Sequence, residues 1–258
     1  MLDSPSEAPP RGSVSRAGGI EVHLLQGDAP ARFAASELVR YLPRLLPGAE
    51  LEVYVGSPAP AMGAAGEVGP APGGEDAILV RGSGRRYVVA GGSPAAVLHA
   101  AYAFLEALGA RWLVPGPRGE AVRPLVGPPP ILSMVSAPAF PRRGLTDGCL
   151  SWWPGDAPFH RWMEELRELV DWMGKMRMNR LFVHFNRLPP GDLSPLLPEL
   201  ERRGIALELG GHNLPKLLPA GILEGRAGLS RWWQGERRRD GNFCVGNRRT
   251  LQLLREGA

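Results

Sequence analysis

Apolar positions recur along this chain in two rhythms, and the way they alternate outlines its elements. Ile20 to Leu25 alternates apolar and polar residues, the period-two pattern of a half-buried strand. From about Pro30 to Leu46 the period lengthens: Ala34, Leu38, Tyr41, Leu42 and Leu45 fall on one face of a helix. Pro43, late in that stretch, is expected to kink or shorten its last turn. Leu51 to Val55 alternates again as a strand, and the Gly/Ala/Pro-rich run from Gly56 to Gly74 reads as a loose loop. Ala77 to Val80 and Tyr87 to Ala90 read as two strands, with Gly82-Ser83-Gly84 suited to a hairpin turn. Ser93 caps and Pro94 opens a second helix, whose face is Val97, Ala101, Phe104, Leu105 and Leu108 and whose stop is Gly109. A short strand at Arg111 to Val114 follows.

From Arg123 to Pro141 prolines are frequent and periodicity is lost, as in a domain linker. Beyond it, strands at Arg143 to Thr146, Arg180 to Phe185 and Ile205 to Leu209 alternate with helices near Phe159 to Met178 and Leu193 to Arg203. The first of these helices presents Trp162, Leu166, Leu169, Val170 and Met173 on one face. Strand–helix–strand–helix–strand with short links indicates parallel βα units. The expected organisation is a disordered tail over 1–19, an α+β domain over 20–122, a Pro-rich linker over 123–141, and α/β units over 142–258.

Composition adds exclusions. The chain has 258 residues, 44% hydrophobic and 22% charged, ordinary for a globular protein with a real core. Its net charge of +4 comes from 28 Arg and two Lys, scattered along the chain. The one tight run, Arg237-Arg238-Arg239, is flanked by Glu236 and Asp240, so no basic footprint for nucleic acid is visible. No run is apolar and long enough for a bilayer, and the polar N-terminus lacks a signal-peptide core. The chain as written is therefore expected to be soluble and cytoplasmic, with export open if the true start lies upstream. Cys149 and Cys244 have no metal-type spacing and read as two reduced thiols, a single bridge staying open. Val88-Val89-Ala90-Gly91-Gly92-Ser93 hints at a phosphate loop but lacks the G-x-G-x-x-G spacing and the P-loop Lys.

In parallel barrels functional groups collect at the C-terminal ends of the strands. Strand alternation puts Leu181, Val183 and Phe185 on one face of the second strand and Phe182, His184 and Asn186 on the other. In the third, Ile205, Leu207 and Leu209 oppose Ala206, Glu208 and Gly210, with His212 and Asn213 at the rim. In the first, Arg143, Leu145 and Asp147 share a face. The candidate binding set is thus Arg143, Asp147, His184, Asn186, Glu208, His212 and Asn213. Each also has a structural reading: His184 as a hydrogen-bonded core histidine, Glu208 as a partner for Arg143, Asp147, His212 and Asn213 as caps. Trp152-Trp153 and Trp232-Trp233, read as loop residues, could stack on sugar C–H groups or anchor those loops.

Several of these segments resemble a known family. Ala34 to Leu42 resembles the first helix of the accessory domain that precedes many glycoside hydrolase barrels. Gly91 to Glu106, continued by Leu108-Gly109-Ala110-Arg111-Trp112-Leu113-Val114-Pro115-Gly116, is similar to the second helix and strand of that domain in α-glucuronidases and β-N-acetylhexosaminidases, and to relatives carrying a DUF4838-type region. Phe140-Pro141-Arg142-Arg143-Gly144-Leu145, Lys175 to His184, and Gly210-Gly211-His212-Asn213 resemble the first three strands of the hexosaminidase barrel. The resemblance implies an incomplete (β/α)8 barrel behind a hexosaminidase domain 2-like layer, a carbohydrate substrate, and no metal or organic cofactor. It implies sugar contact for Arg143 and pocket-shaping roles for the rim histidines. Glycoside hydrolysis uses two carboxylates, which in these families come from later strands, and a barrel takes about 250 residues. The catalytic residues are therefore not assigned, and this chain alone is expected to be inactive. The alternative is a non-catalytic carbohydrate-binding or scaffolding fragment.

Overall fold

The computed structural model describes residues 12–67, 73–147, 159–184, 194–210, 232–233, 236–237 and 246–257. The chain divides into two compact units, residues 1–181 with 193–207, and residues 182–192 with 208–258.

The first unit opens with β1 (Val14–Ala17) and β2 (Ile20–Leu24), an antiparallel pair. β1 lies inside the stretch read as a disordered tail. Its alternating residues find a partner in β2, which composition alone does not reveal. Helix α1 (Ala29–Leu45) starts where Asp28 Oδ1 accepts the Ala31 N–H at 2.9 Å, and it runs two residues past Pro43. β3 (Leu51–Gly56) pairs in parallel with β2. Next comes α2 (Pro58–Ala65), which replaces part of the expected loop. Pro58 opens it and Gly66, in the left-handed region, closes it; Ala61, Met62 and Ala65 pack on Leu79, Val88 and Ala90. Eight residues with few bulky side chains carry too little periodic signal to read from sequence.

β4 (Ile78–Ser83) and β5 (Arg86–Gly91) form the expected hairpin. Helix α3 (Pro94–Ala107) begins with Ser93 Oγ accepting the Ala96 N–H at 3.2 Å. Residues 96–105 are all buried. β6 (Arg111–Trp112) and β7 (Glu120–Ala121) make a short antiparallel ribbon, so the strand expected to reach Val114 stops two residues earlier. The Pro-rich linker is not structureless either: β8 (Leu132–Ser136) pairs antiparallel with β4. The six-stranded sheet therefore runs β1-β2-β3-β5-β4-β8. Ile20, Val22, Leu24, Val53, Val55, Val80 and Val89 bury one face under α1 and α3, and α2 covers part of the other.

β9 (Gly144–Thr146), α4 (Phe159–Lys175), β10 (Arg180–His184), α5 (Leu197–Glu201) and β11 (Ala206–Gly210) follow. The three strands form a sheet ordered β11-β10-β9. Their N-terminal ends lie side by side in the first unit, where Arg180 N–H donates to Arg143 O at 3.0 Å and Ala206 N–H donates to Asn179 O at 3.0 Å. Strands joined start to start run in the same direction, as parallel βα units require. A Cβ on Gly144 would lie 2.2 Å from Arg180 O, so only glycine lets β9 approach β10 this closely. The expected apolar face of α4 is buried throughout: Trp162, Leu166, Leu169, Val170 and Met173 are at most 3% exposed.

The second unit holds the ends of β10 and β11, the antiparallel ribbon of β12 (Trp232–Trp233) and β13 (Glu236–Arg237), and α6 (Arg248–Gly257). Trp232 and Trp233, read as loop residues, are strand residues. α6 is capped by Asn247, whose Oδ1 accepts the Arg249 N–H at 2.9 Å.

Candidate functional site

Along β10 burial alternates as strand geometry demands: Leu181 and Val183 are fully buried, while Phe182 and His184 are partly exposed. Within the second unit, the Phe182 and His184 rings meet edge to face at 5.2 Å. Phe182 also explains Gly210, since a Cβ there would lie 2.4 Å from its ring. Glu208 is exposed on β11. Leu209, expected to face a helix with Ile205 and Leu207, is instead 48% exposed, whereas Ile205 is buried. His184 and Glu208 are the two predicted site residues that this unit describes. Asn186, His212 and Asn213 lie outside the described residues, as do Trp152, Trp153, Cys149 and Cys244.

Arg143 and Asp147 belong to the first unit and have other partners. Arg143 immediately precedes β9, at its N-terminal end rather than the C-terminal end where barrel sites collect. Its guanidinium donates to Asp76 Oδ2 at 3.0 Å, Arg177 O at 2.9 Å and Phe140 O at 2.7 Å. Its backbone is fixed as well, because Asn179 Oδ1 accepts the Arg143 N–H at 2.9 Å. Arg143 and Asp76 form an ion pair at 3.0 Å. Asp147 is fully buried and its Oδ1 accepts from the Thr146 hydroxyl at 3.1 Å.

Two clusters of ionisable groups in the first unit escaped the sequence reading. One surrounds Arg143. His99 on α3 is buried, its hydrogen bond goes to the Met178 backbone, and burial pushes its pKa down to about 4; Arg143 and Arg177 add to this and Asp76 opposes it. Arg177 holds an unusual φ of +58° just beyond α4, where its side chain pairs with Glu106.

The second cluster is a ladder of alternating charge. Arg44 donates to Glu120 Oε1 at 2.9 Å, and Lys175 Nζ lies 3.8 Å from Glu120 Oε2. Lys175 also donates to Asp171 at 2.6 Å, and Asp171 accepts from Arg203 at 2.6 Å. Arg203 then reaches Glu199 at 2.7 Å. Burial pushes the Asp171 carboxyl up, but Arg203 and Lys175 outweigh it and hold the group below the usual range. Glu120 is likewise raised by burial and lowered further by the Tyr41 and Arg44 hydrogen bonds and the Lys175 charge. One signal for the ladder was present in the sequence. Lys175 is one of two lysines and stands four residues after Asp171.

Among the described residues, no three His, Cys, Asp or Glu side chains gather to hold a metal ion, and no helix is long and apolar enough to cross a membrane.

Neither a family model nor a curated protein matches the chain. Solved structures similar to it include family 20 glycoside hydrolases. The exo-β-N-acetylglucosaminidase from Vibrio harveyi in complex with N-acetylglucosamine shares 15% identity with a TM-score of 0.44, over 83% of this chain and 38% of that one. An inactive mutant of the same enzyme shares 14% with a TM-score of 0.49, over 98% and 44%. A β-N-acetylhexosaminidase from Bacteroides fragilis shares 14% with a TM-score of 0.41, over 71% and 40%. The chain thus spans less than half the length of each of these structures.

Proposed function

We propose that this chain is part of a carbohydrate-active enzyme of the glycoside hydrolase type, acting on glycosidic bonds in a polysaccharide or oligosaccharide. Its accessory α+β layer is built onto the first βα units of a (β/α)8 barrel. The observation that carries this reading is the sheet order β11-β10-β9 with the strand starts tied together, because this is how such a barrel begins. Of the segments that resemble the family, Ala34 to Leu42 lies in α1, the run from Gly91 to Gly116 includes α3 and β6, and those from Phe140 and from Lys175 lead into β9 and β10. His184 and Glu208 are the described groups assigned to sugar hydroxyls, joined by Asn186, His212 and Asn213. Arg143 and Asp147 are assigned to holding the first strand.

A second reading, carbohydrate binding without turnover, is favoured by one feature. Of the carboxylates Asp147 and Glu208, only Glu208 is exposed, whereas hydrolysis uses two. A panel of aryl glycosides assayed with the product of the whole gene separates the two. Turnover of at least one glycoside is expected, and Glu208→Gln and His184→Ala should each lower kcat/KM by about tenfold or more, the loss of one strong hydrogen bond. Binding to oligosaccharides without turnover would favour the second reading. Neither turnover nor binding would remove both.

A further inference from the structure

Within the first unit, the six-stranded layer meets α4, α5 and the residues that follow each of them through buried charge as well as apolar contact. Lys175 and Arg203 are 5% and 3% exposed, and each has carboxylates as its charged partners: Glu120 and Asp171 for Lys175, Asp171 and Glu199 for Arg203. The ladder runs from α1 (Arg44) through β7 (Glu120) and α4 (Lys175, Asp171) to Arg203 and α5 (Glu199). Arg40 and Tyr41 of α1 face Glu120; Tyr102 of α3, held by Glu37, faces the Asp171–Arg203 pair. The Arg203 and Arg202 guanidiniums each lie 4.6 Å over the Phe33 ring of α1. Just beyond the same, C-terminal end of α4, His99 of α3 is buried against Met178, with Arg143, Arg177 and Asp76 around it. The remaining contacts include Trp172, whose Nε1 donates to Trp112 O at 2.8 Å.

Acid acts on both clusters in the same sense. Protonating Asp171 or Glu120 leaves Lys175, Arg203 and Arg44 short of counter-charge, two of them in a desolvated setting. Protonating His99 adds a cation beside Arg143 and Arg177. The apolar interior of the six-stranded layer has a different basis: Val22, Leu38, Leu42, Val53, Val89 and Phe104 are fully buried and do not titrate.

We infer that this junction is an acid-released latch, which holds α4 and α5 to the six-stranded layer at neutral pH and lets go in acid before the layer itself unfolds. Two signals from the full chain test it as pH is lowered from 7.5. The tryptophan near-UV circular dichroism, to which Trp112 and Trp172 contribute at the junction, is expected to be lost with a midpoint at about pH 4 or below, and the far-UV signal to persist to lower pH. Loss of both signals at a single midpoint, or a tryptophan signal that survives to about pH 3, overturns the latch.

Two variants separate a latch from general acid sensitivity. His99→Gln removes a group that must not be protonated, and the near-UV midpoint should move down by about half a pH unit. Glu120→Gln keeps an acceptor for Tyr41 but removes a charge that Lys175 and Arg44 need, and the midpoint should move up by about half a unit or more. Opposite shifts support the latch. Shifts of the same sign, or none, overturn it.

Discussion

Lys175 and Arg203 are nearly as buried as the leucines around them, and counter-charges within hydrogen-bond reach offset the cost of taking such groups out of water. His99 takes the other route. It is buried beside two arginines and gives up its charge. The consequence for stability has a definite sign. The folded pKa, about 4, lies below the unfolded value near 6.5, so the unfolded chain takes up the proton first. The contribution of His99 is intact above about pH 6.5 and is lost as pH falls toward 4, amounting to about 2 kcal/mol between pH 7 and pH 5. Urea unfolding of the chain and of His99→Gln at both pH values should show that loss in the first and a smaller one in the second.

Elements in this protein begin and end where their local chemistry dictates, and meet where small residues permit. α1 and α3 are each capped by a side-chain oxygen and carry a proline in the first turn; Ser93 and Pro94 showed this in the sequence, and the Asp28 cap came with the structure. β9 and β10 come together because Gly144 has no Cβ to collide with Arg180 O. Gly144→Ala forces backbone against backbone and should cost about 1–3 kcal/mol, as overpacking does. Urea denaturation of the variant measures it. Arg177 shows the opposite compromise. It occupies a left-handed position favouring glycine, and in return its carbonyl and side chain hold Arg143 and Glu106. α2 and β8 were not anticipated because neither has a strong period of its own. Each is ordered by what it packs or pairs with on the sheet.

On the scale of the whole molecule, residues 132–136 of the segment read as a linker form an edge strand of the sheet, and the residue expected to touch sugar joins the strands. Arg143 links Asp76, ahead of β4, to Phe140, Arg177 and the start of β9, all within the first unit. Arg143→Ala should therefore lower stability by about 2–4 kcal/mol, the range for breaking a partly buried, hydrogen-bonded charge pair. A thermal melt at neutral pH reads this directly. An undiminished melting temperature would return Arg143 to the list of candidate sugar contacts.

The sequence by itself determined the apolar faces of the three long helices α1, α3 and α4, the alternation of β2, β3 and β10, and the strand–helix–strand order after residue 141. Each is written in a local period or a local cap, and period and cap depend on neighbours a few residues away. It also placed His184 and Glu208 on the face of their strands opposite the aliphatic set. Only the tertiary structure decided what Arg143, Asp147, Asp171, Lys175 and Arg203 do. A buried charge takes its role from the counter-charge beside it, and Asp76 stands 67 residues from Arg143 along the chain, Arg203 32 from Asp171. No period in the sequence records such a distance; the folding of one layer against the other creates it.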